Sequence, residues 1–314
     1  LNAALRPLGL QFGPDPASSD RSTLGGAVAN NATGSHSLLY GMTADHVTSM
    51  QVVLSDGRVA TLEEEEAIGV DAAVARRESR RRSSVGDGDW EIDEIRRLTS
   101  APENARIIRE GTPRYWRRCG GYNLDRLLPG EPFNPARLIC GSEGTRAART
   151  ETTGGLVPRP PHTGPALLHF DDLYAALSAV PALLETEPSA VELLDNLSLT
   201  LCRDVPEYAR LLASVVEGRP CCLLVVEFEG ESAAAVRAGI DRLAARARRE
   251  ALGVAGLTTA LAPEAQAAVW AVRKAGLGLL MSMKGDMKPV PFIEDAAVPV
   301  EQLPEYVRQI EGYC

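Results

Sequence analysis

The sequence predicts an α+β fold in two domains, and three observations carry that expectation. The chain has 314 residues, of which 45% are hydrophobic and 24% charged, an ordinary globular composition at a length that suits two cores better than one. Short β-rich runs bounded by Gly, Pro and Asp fill parts of the first half. From about residue 165 onward, apolar strand-like runs alternate with helical text in two β-α-β units, the pattern of a ferredoxin-like antiparallel sheet with helices on one face.

Taken in order, residues 1–62 mix short helical and extended pieces and end in a hairpin. There, VTSMQVVLSDGRVATL (47–62) places two β-rich runs on either side of Asp56-Gly57, a pair suited to a type I′ turn. From Glu63 to Arg118 the text changes to four consecutive Glu, then RRESRRR (76–82), then polar helical sequence, read as a solvated helical insertion. Gly-rich text returns over 119–158, and VPRPPHTGP (157–165) is a stiff boundary. Strands are expected at 166–170, 190–194, 221–230 and 257–261, and helices over 171–187, up to about 216, over 231–252 and over 264–280, the last introduced by Pro263. This places the domains at about 1–160 and 161–314.

Charge and cysteine usage narrow the function classes. Lys plus Arg number 33 against 42 Asp plus Glu, a formal charge of −9, so no global basic field draws the chain to nucleic acid or anionic lipid. Any anionic ligand must be held locally. The longest apolar run, 221–226, falls far short of the roughly 18 to 20 residues of a membrane span. Six cysteines without CxxC spacing, two of them adjacent at Cys221 and Cys222, read as reduced thiols in a cytoplasmic protein. The opening LNAALRPLGL has neither the basic lead nor the cleavage site of a signal peptide, and it reads as part of a longer chain.

The densest chemical signal lies between Phe12 and Gly41. In Thr23-Leu24-Gly25-Gly26, two residues without Cβ let backbone N–H groups crowd an anionic oxygen, and Ala27, Ala29 and Ala32 keep the next turn small. A phosphate cradle built from backbone fits the acidic balance of the chain. PDP, TLGG, NNATG, YGMTADHV, the Asp-Gly hairpin, GYNLDRLL (121–128) and CGSEGT (140–145) follow one another in order. This series resembles the second half of the flavin-binding domain of the vanillyl-alcohol oxidase superfamily, in the branch of FAD-linked D-lactate dehydrogenases, D-2-hydroxyglutarate dehydrogenases and glycolate oxidase flavin subunits. The resemblance continues through VPRPP to FIEDAAVPVEQLPEYV (292–307), nearly the whole chain.

It implies a partial PCMH-type FAD-binding domain followed by an incomplete ferredoxin-like cap domain. It also implies that Pro14, Asp15, Thr23, Gly25, Gly26, Asn30, Gly34, Tyr40 and Gly41 line FAD, with Gly141, Ser142, Glu143, Gly144 and Thr145 on its other side. The substrate would be a 2-hydroxy acid of the D-lactate, D-2-hydroxyglutarate or glycolate class, whose carboxylate must be clamped so that its α-hydrogen faces flavin N5. In the resembling family an Arg on a helix has this role, and Arg273 of VWAVRK occupies the matching place, with Lys288, Glu294 and Asp295 following. The electron acceptor is not readable, although an iron–sulfur domain or subunit is a partner the longer relatives suggest. A location peripheral to the inner membrane is compatible with this branch, and no metal site is expected in the chain itself.

Three departures stand out. The family's first Gly-rich flavin loop is absent, and so is the HGxxGDGNxH-like segment that supplies its base, since the four histidines are His36, His46, His162 and His169. His36 and His46 read as loop residues near the surface of the flavin domain. Where relatives continue CGSEGT with an apolar strand, this chain has RAARTETTGG, with Arg146 and Arg149 at positions that would bury apolar side chains. Local sequence damage, an altered edge strand and a changed partner all fit that text. These departures lead to the expectation that residues 1–314 alone do not turn over, and to an alternative reading as a noncatalytic remnant or split subunit.

Overall fold

The structure is a computed structural model and describes residues 1–64, 89–115, 117–118, 121–282, 293 and 296–314. The chain divides into two compact units, Leu1–Val157 and Pro158–Cys314. No described helix is long and apolar enough to cross a membrane.

In the first unit, β2 (Val47–Val53) is the centre of a three-stranded antiparallel sheet, flanked by β3 (Val59–Glu63) and β4 (Ala148–Gly154). Met50 stands opposite Leu62 on one side and Thr152 on the other. The hairpin closes through Leu54 N–H to the Arg58 carbonyl, and within the loop only Gly57 takes positive φ, at 87°. The turn is therefore the three-residue kind with one left-handed position, not the type I′ turn expected from Asp56-Gly57. Val28, Met50, Val52, Leu127 and Ile139 form the core of this unit. Polar helical text within the expected insertion forms α5 (Asp89–Ser100) and α6 (Pro102–Gly111), the latter opened by a proline at its first turn. RRESRRR lies outside the described residues.

The text after CGSEGT forms a strand after all. β4 lies at the sheet edge and its side chains are largely exposed, so Arg146 and Arg149 do not replace buried apolar groups. Of the readings left open by the sequence, an altered edge strand is the one seen. A polar, partly charged strand is also how natural edges avoid pairing with other chains.

The second unit has strands β6 (His162–Phe170), β7 (Ala190–Leu194), β8 (Cys222–Gly230) and β9 (Gly256–Thr259) in the antiparallel order β7-β8-β6-β9, the ferredoxin-like arrangement. Leu168 pairs with Leu224 and Ala166 with Thr259. On one face, Leu168, Phe170, Leu224 and Val226 pack against α8 (Leu173–Leu184) and α11 (Ala233–Arg249) through Ala176, Leu183, Ile240 and Leu243. Asp172 and Ser232 cap these helices by accepting from the Ala175 and Ala235 N–H groups.

Here the expectation of helices on one face is corrected. Leu167, Leu223 and Val225, which point the other way, are covered by α9 (Asn196–Asp204), α10 (Pro206–Val215) and α12 (Pro263–Met281) through Leu199, Leu212 and Val272. Coverage of both faces explains why residues 222–228 are apolar without alternation, buried Glu227 being the one exception. Each fully buried Leu or Val there contributes about 1.5 to 3 kcal/mol.

Candidate functional site

The residues singled out in the first unit gather at two points, the first of them the short helix α2. Thr23 is the N-cap of α2 (Leu24–Ala29), and its hydroxyl accepts from Gly26 N–H at 3.0 Å. That bond engages the Gly26 N–H within the cap. The N–H groups of Leu24 and Gly25, in the first turn, have no helical acceptor and are the ones free to meet a ligand. A Cβ at Gly25 or Gly144 would meet no heavy atom within 4 Å, so both glycines border open space.

The loop 140–145 is fastened to the other end of the same helix. Gly141 N–H donates to the Val28 carbonyl and Glu143 N–H to the Ala29 carbonyl, each at 3.0 Å. Asn30 is the exposed C-cap of α2. Thr145 Oγ1 donates to the Ser142 carbonyl and shares a hydrogen bond with the Tyr122 hydroxyl at 2.7 Å. The Arg146 guanidinium lies 4.5 Å from the centre of the Tyr122 ring. The Thr145 hydrogen bond, helped by Arg146, lowers the Tyr122 pKa below its ordinary value.

Pro14, Asp15 and Gly34 meet at a second point. A Cβ at Gly34 would stand 1.9 Å from the Asp15 carbonyl oxygen, so only glycine allows these two loops to touch. Asp15 adopts φ 43°, and its carboxylate lies 3.0 Å from His36 Nδ1. Tyr40 and Gly41 end a short helical turn, and the Tyr40 carbonyl is 2.8 Å from His46 Nε2. His46 is buried and braces this turn, which corrects its reading as a surface loop residue.

Several residues that hold these loops together were not singled out from sequence as site residues, and Arg149 was noted there only as a charge in place of an apolar side chain. Asn31, not Asn30, is the buried hub, with φ 47° and its side-chain oxygen accepting from Ala44 N–H at 2.8 Å. Asn123 Nδ2 donates to the Cys140 carbonyl at 3.0 Å. Asp45 accepts from Met42 N–H and pairs with Arg126. Burial would raise the Asp45 pKa, but the Arg126 and Met42 hydrogen bonds outweigh it and hold the carboxyl below its usual value. Arg149 reaches from β4 to donate to the Gly25 carbonyl. In the sequence the repeated Asn was the local hint, since Asn tolerates the left-handed backbone that Asn31 adopts, while the contacts of Asn123, Arg126 and Arg149 reach across 17 to 124 residues.

In the second unit, Arg273 sits on α12 beside buried Val272. Its Nε and Nη2 donate to Glu192 Oε2 on β7 at 3.0 and 2.8 Å. Glu192 takes the inner edge of the guanidinium, and the outer edge, Nη1 with the second Nη2 hydrogen, keeps a fork that fits a carboxylate. Lys288, Glu294 and Asp295 lie outside the described residues. Among the described residues no group of three His, Cys, Asp or Glu side chains is placed to hold a metal ion.

A dinucleotide fits what the first unit offers. Ser142 Oγ is buried and has no hydrogen-bond partner among the described residues, and open space adjoins Gly25 and Gly144. Both are features of a site shaped for a polar ligand.

Comparison with known sequences defines the class. Residues 1–63 match the FAD binding domain and residues 159–314 the C-terminal domain of FAD linked oxidases, and the chain belongs to this family of FAD-linked oxidases. It is 31% identical to the D-2-hydroxyglutarate dehydrogenase of Pantoea ananatis, over 98% of this chain and 30% of that protein. Against the enzyme of the same name from Escherichia coli it is 30% identical, over 99% of this chain and 31% of that one. Glycolate oxidase subunit GlcD of Bacillus subtilis is 26% identical, over 98% of this chain and 50% of that protein. The chain thus spans about a third to a half of the length of these curated relatives. A solved alkyldihydroxyacetonephosphate synthase shares the fold, with TM-score 0.50 and 20% identity over 90% of this chain and 40% of that one.

Proposed function

We propose that the protein carrying this chain oxidises a 2-hydroxy acid with FAD as cofactor, and that D-2-hydroxyglutarate, the substrate in the names of four relatives, is favoured over D-lactate and glycolate. The observation that carries the reading is the fastening of loop 140–145 onto α2 by the Gly141 and Glu143 N–H groups. Two Gly-rich segments more than a hundred residues apart in sequence thereby form one cradle.

A bound FAD would supply the hydride-accepting chemistry and the passage of electrons to an acceptor. The chain's own residues supply binding and orientation. Leu24 and Gly25 N–H groups and the Gly141–Thr145 loop hold the polar groups of the dinucleotide, and Pro14, Asp15, Gly34, Tyr40 and Gly41 shape the adjoining wall. Arg273 grips the substrate carboxylate through its outer fork while Glu192 fixes its inner edge, so that little rotamer freedom is lost on binding. Lys288, Glu294 and Asp295 are assigned to the same clamp on family resemblance. Reoxidation falls to an iron–sulfur domain or subunit, in the cytoplasm or at the inner face of the membrane.

The test is anaerobic mixing of the flavin-loaded protein with D- and L-2-hydroxyglutarate, D-lactate and glycolate. Bleaching of the oxidised flavin band by the D-acid alone supports the reading. An unbleached band with every acid refutes it.

A further inference from the structure

Arg149 sits on edge strand β4 in register with Val52, and its guanidinium crosses to α2, where Nη2 donates to the Gly25 carbonyl. Nε and Nη1 are buried, and neither has a hydrogen-bond partner among the described residues. None of the ion pairs among those residues involves Arg149. A guanidinium stays charged at any physiological pH and carries five donors. Arg149 as a whole is half-buried, but enclosing two of its three nitrogens with a single neutral carbonyl as acceptor is unfavourable, and folded proteins normally satisfy such donors. Among the described residues the cation has no counter-ion, and its surroundings say what kind would suit. It is anchored at Gly25, which borders open space, and Ser142 Oγ on the neighbouring loop is a second buried group without a hydrogen-bond partner among the described residues.

We propose that Arg149 is a cationic ligand for the phosphate groups of the dinucleotide held by α2 and the Gly141–Thr145 loop. The inference rests on the flavin reading above and adds to it a residue outside the Gly-rich motifs, at a position where the resembling family has an apolar strand. An anion beside Gly25 meets Nη2 first, and its field compensates the whole delocalised charge even where Nε and Nη1 stay enclosed. Arg146, three residues earlier, is exposed and already lies over the Tyr122 ring, so it serves as a control of equal charge.

The experiment is calorimetric titration of the 314-residue chain with ADP, which carries a diphosphate, and with riboflavin, which carries none. Arg149→Leu should weaken ADP binding about tenfold to a hundredfold, Arg149→Lys should weaken it less, and Arg146→Leu should leave it within about threefold. Riboflavin affinity should not move, and the salt dependence of ADP binding should be shallower in Arg149→Leu than in the parent chain. Thermal melts establish that each variant is folded, and the Lys variant carries the test if the Leu variant is not. Equal ADP affinity in the parent and the folded Arg149 variants would overturn the proposal. So would parallel loss of ADP and riboflavin, the mark of a merely structural cross-link, or absence of ADP binding by the parent. If ADP binding depends on Arg149 while FAD is not retained, this assignment stands and the flavin reading fails.

Discussion

Gly25→Ala separates stability from cofactor binding in a way that a simple turn glycine could not. Gly25 is in the first turn of α2, its φ is not positive, and a Cβ there would meet no heavy atom within 4 Å. In the protein alone the added methyl therefore has room, and replacing Gly by Ala in a helix gains about 0.5 to 1 kcal/mol by restricting the unfolded chain. The melting temperature should rise by about 1 to 4 °C at this size. The same methyl occupies the space where the dinucleotide is assigned, so binding should weaken by about 1 to 3 kcal/mol, or roughly 5-fold to 150-fold, as in an overpacked site. Thermal unfolding without flavin and a fluorescence-quenching titration with FAD give the two numbers. A variant that is more stable and binds FAD as well as the parent would show that Gly25 does not line the cradle.

Other perturbations read other parts of the account. Gly34→Ala would place a Cβ 1.9 Å from the Asp15 carbonyl oxygen and 2.4 Å from that of Pro14, and since backbone cannot rotate aside, the first unit should lose about 3 kcal/mol, seen as a fall of roughly 6 to 12 °C in its melting transition. Arg273→Lys keeps the charge but loses the fork and the second bond to Glu192, so kcat/KM for the 2-hydroxy acid should fall by about 2 to 4 kcal/mol, and an unchanged value removes Arg273 from the clamp. Burial lowers the His169 pKa against a smaller opposing effect of Glu217. Its folded pKa lies below the unfolded value, so stability present above about pH 6.5 declines as pH falls below it and levels off under the folded pKa. His169→Gln should make the acid limb of a stability-against-pH curve shallower.

What the sequence could show was local. The apolar run 222–228 and Pro263 at the start of α12 mark their elements because a strand or a first turn depends on a few adjacent residues. The coverage of both sheet faces was also written there, in the lack of alternation along that run, but the helices responsible lie in separate stretches of chain. In the cradle, Gly25, Gly26 and Gly141 were legible as small residues at a turn. Which of Asn30 and Asn31 turns inward was not, since that depends on Ala44 and Met42 arriving from another turn. Arg149 and Glu192 act on partners 124 and 81 residues away, and no periodicity reports such pairs. Arg149 looked like a misplaced charge in an apolar strand only because the strand's place at the sheet edge was unknown.

The central claim is that α2 and loop 140–145 form a flavin cradle, and the most direct measurement of it is an equilibrium titration of the protein carrying this chain with FAD, compared with its Gly141→Val variant. Gly141 has φ 81°, and a Cβ there would lie 3.3 Å from both Asn31 Cβ and the Gly121 carbonyl oxygen, so valine must displace the loop from α2. Saturable binding at one FAD per chain is expected in the parent and its loss in the variant, with the second unit still folded by its own melting transition. FAD bound equally well by both proteins, or by neither, would contradict it.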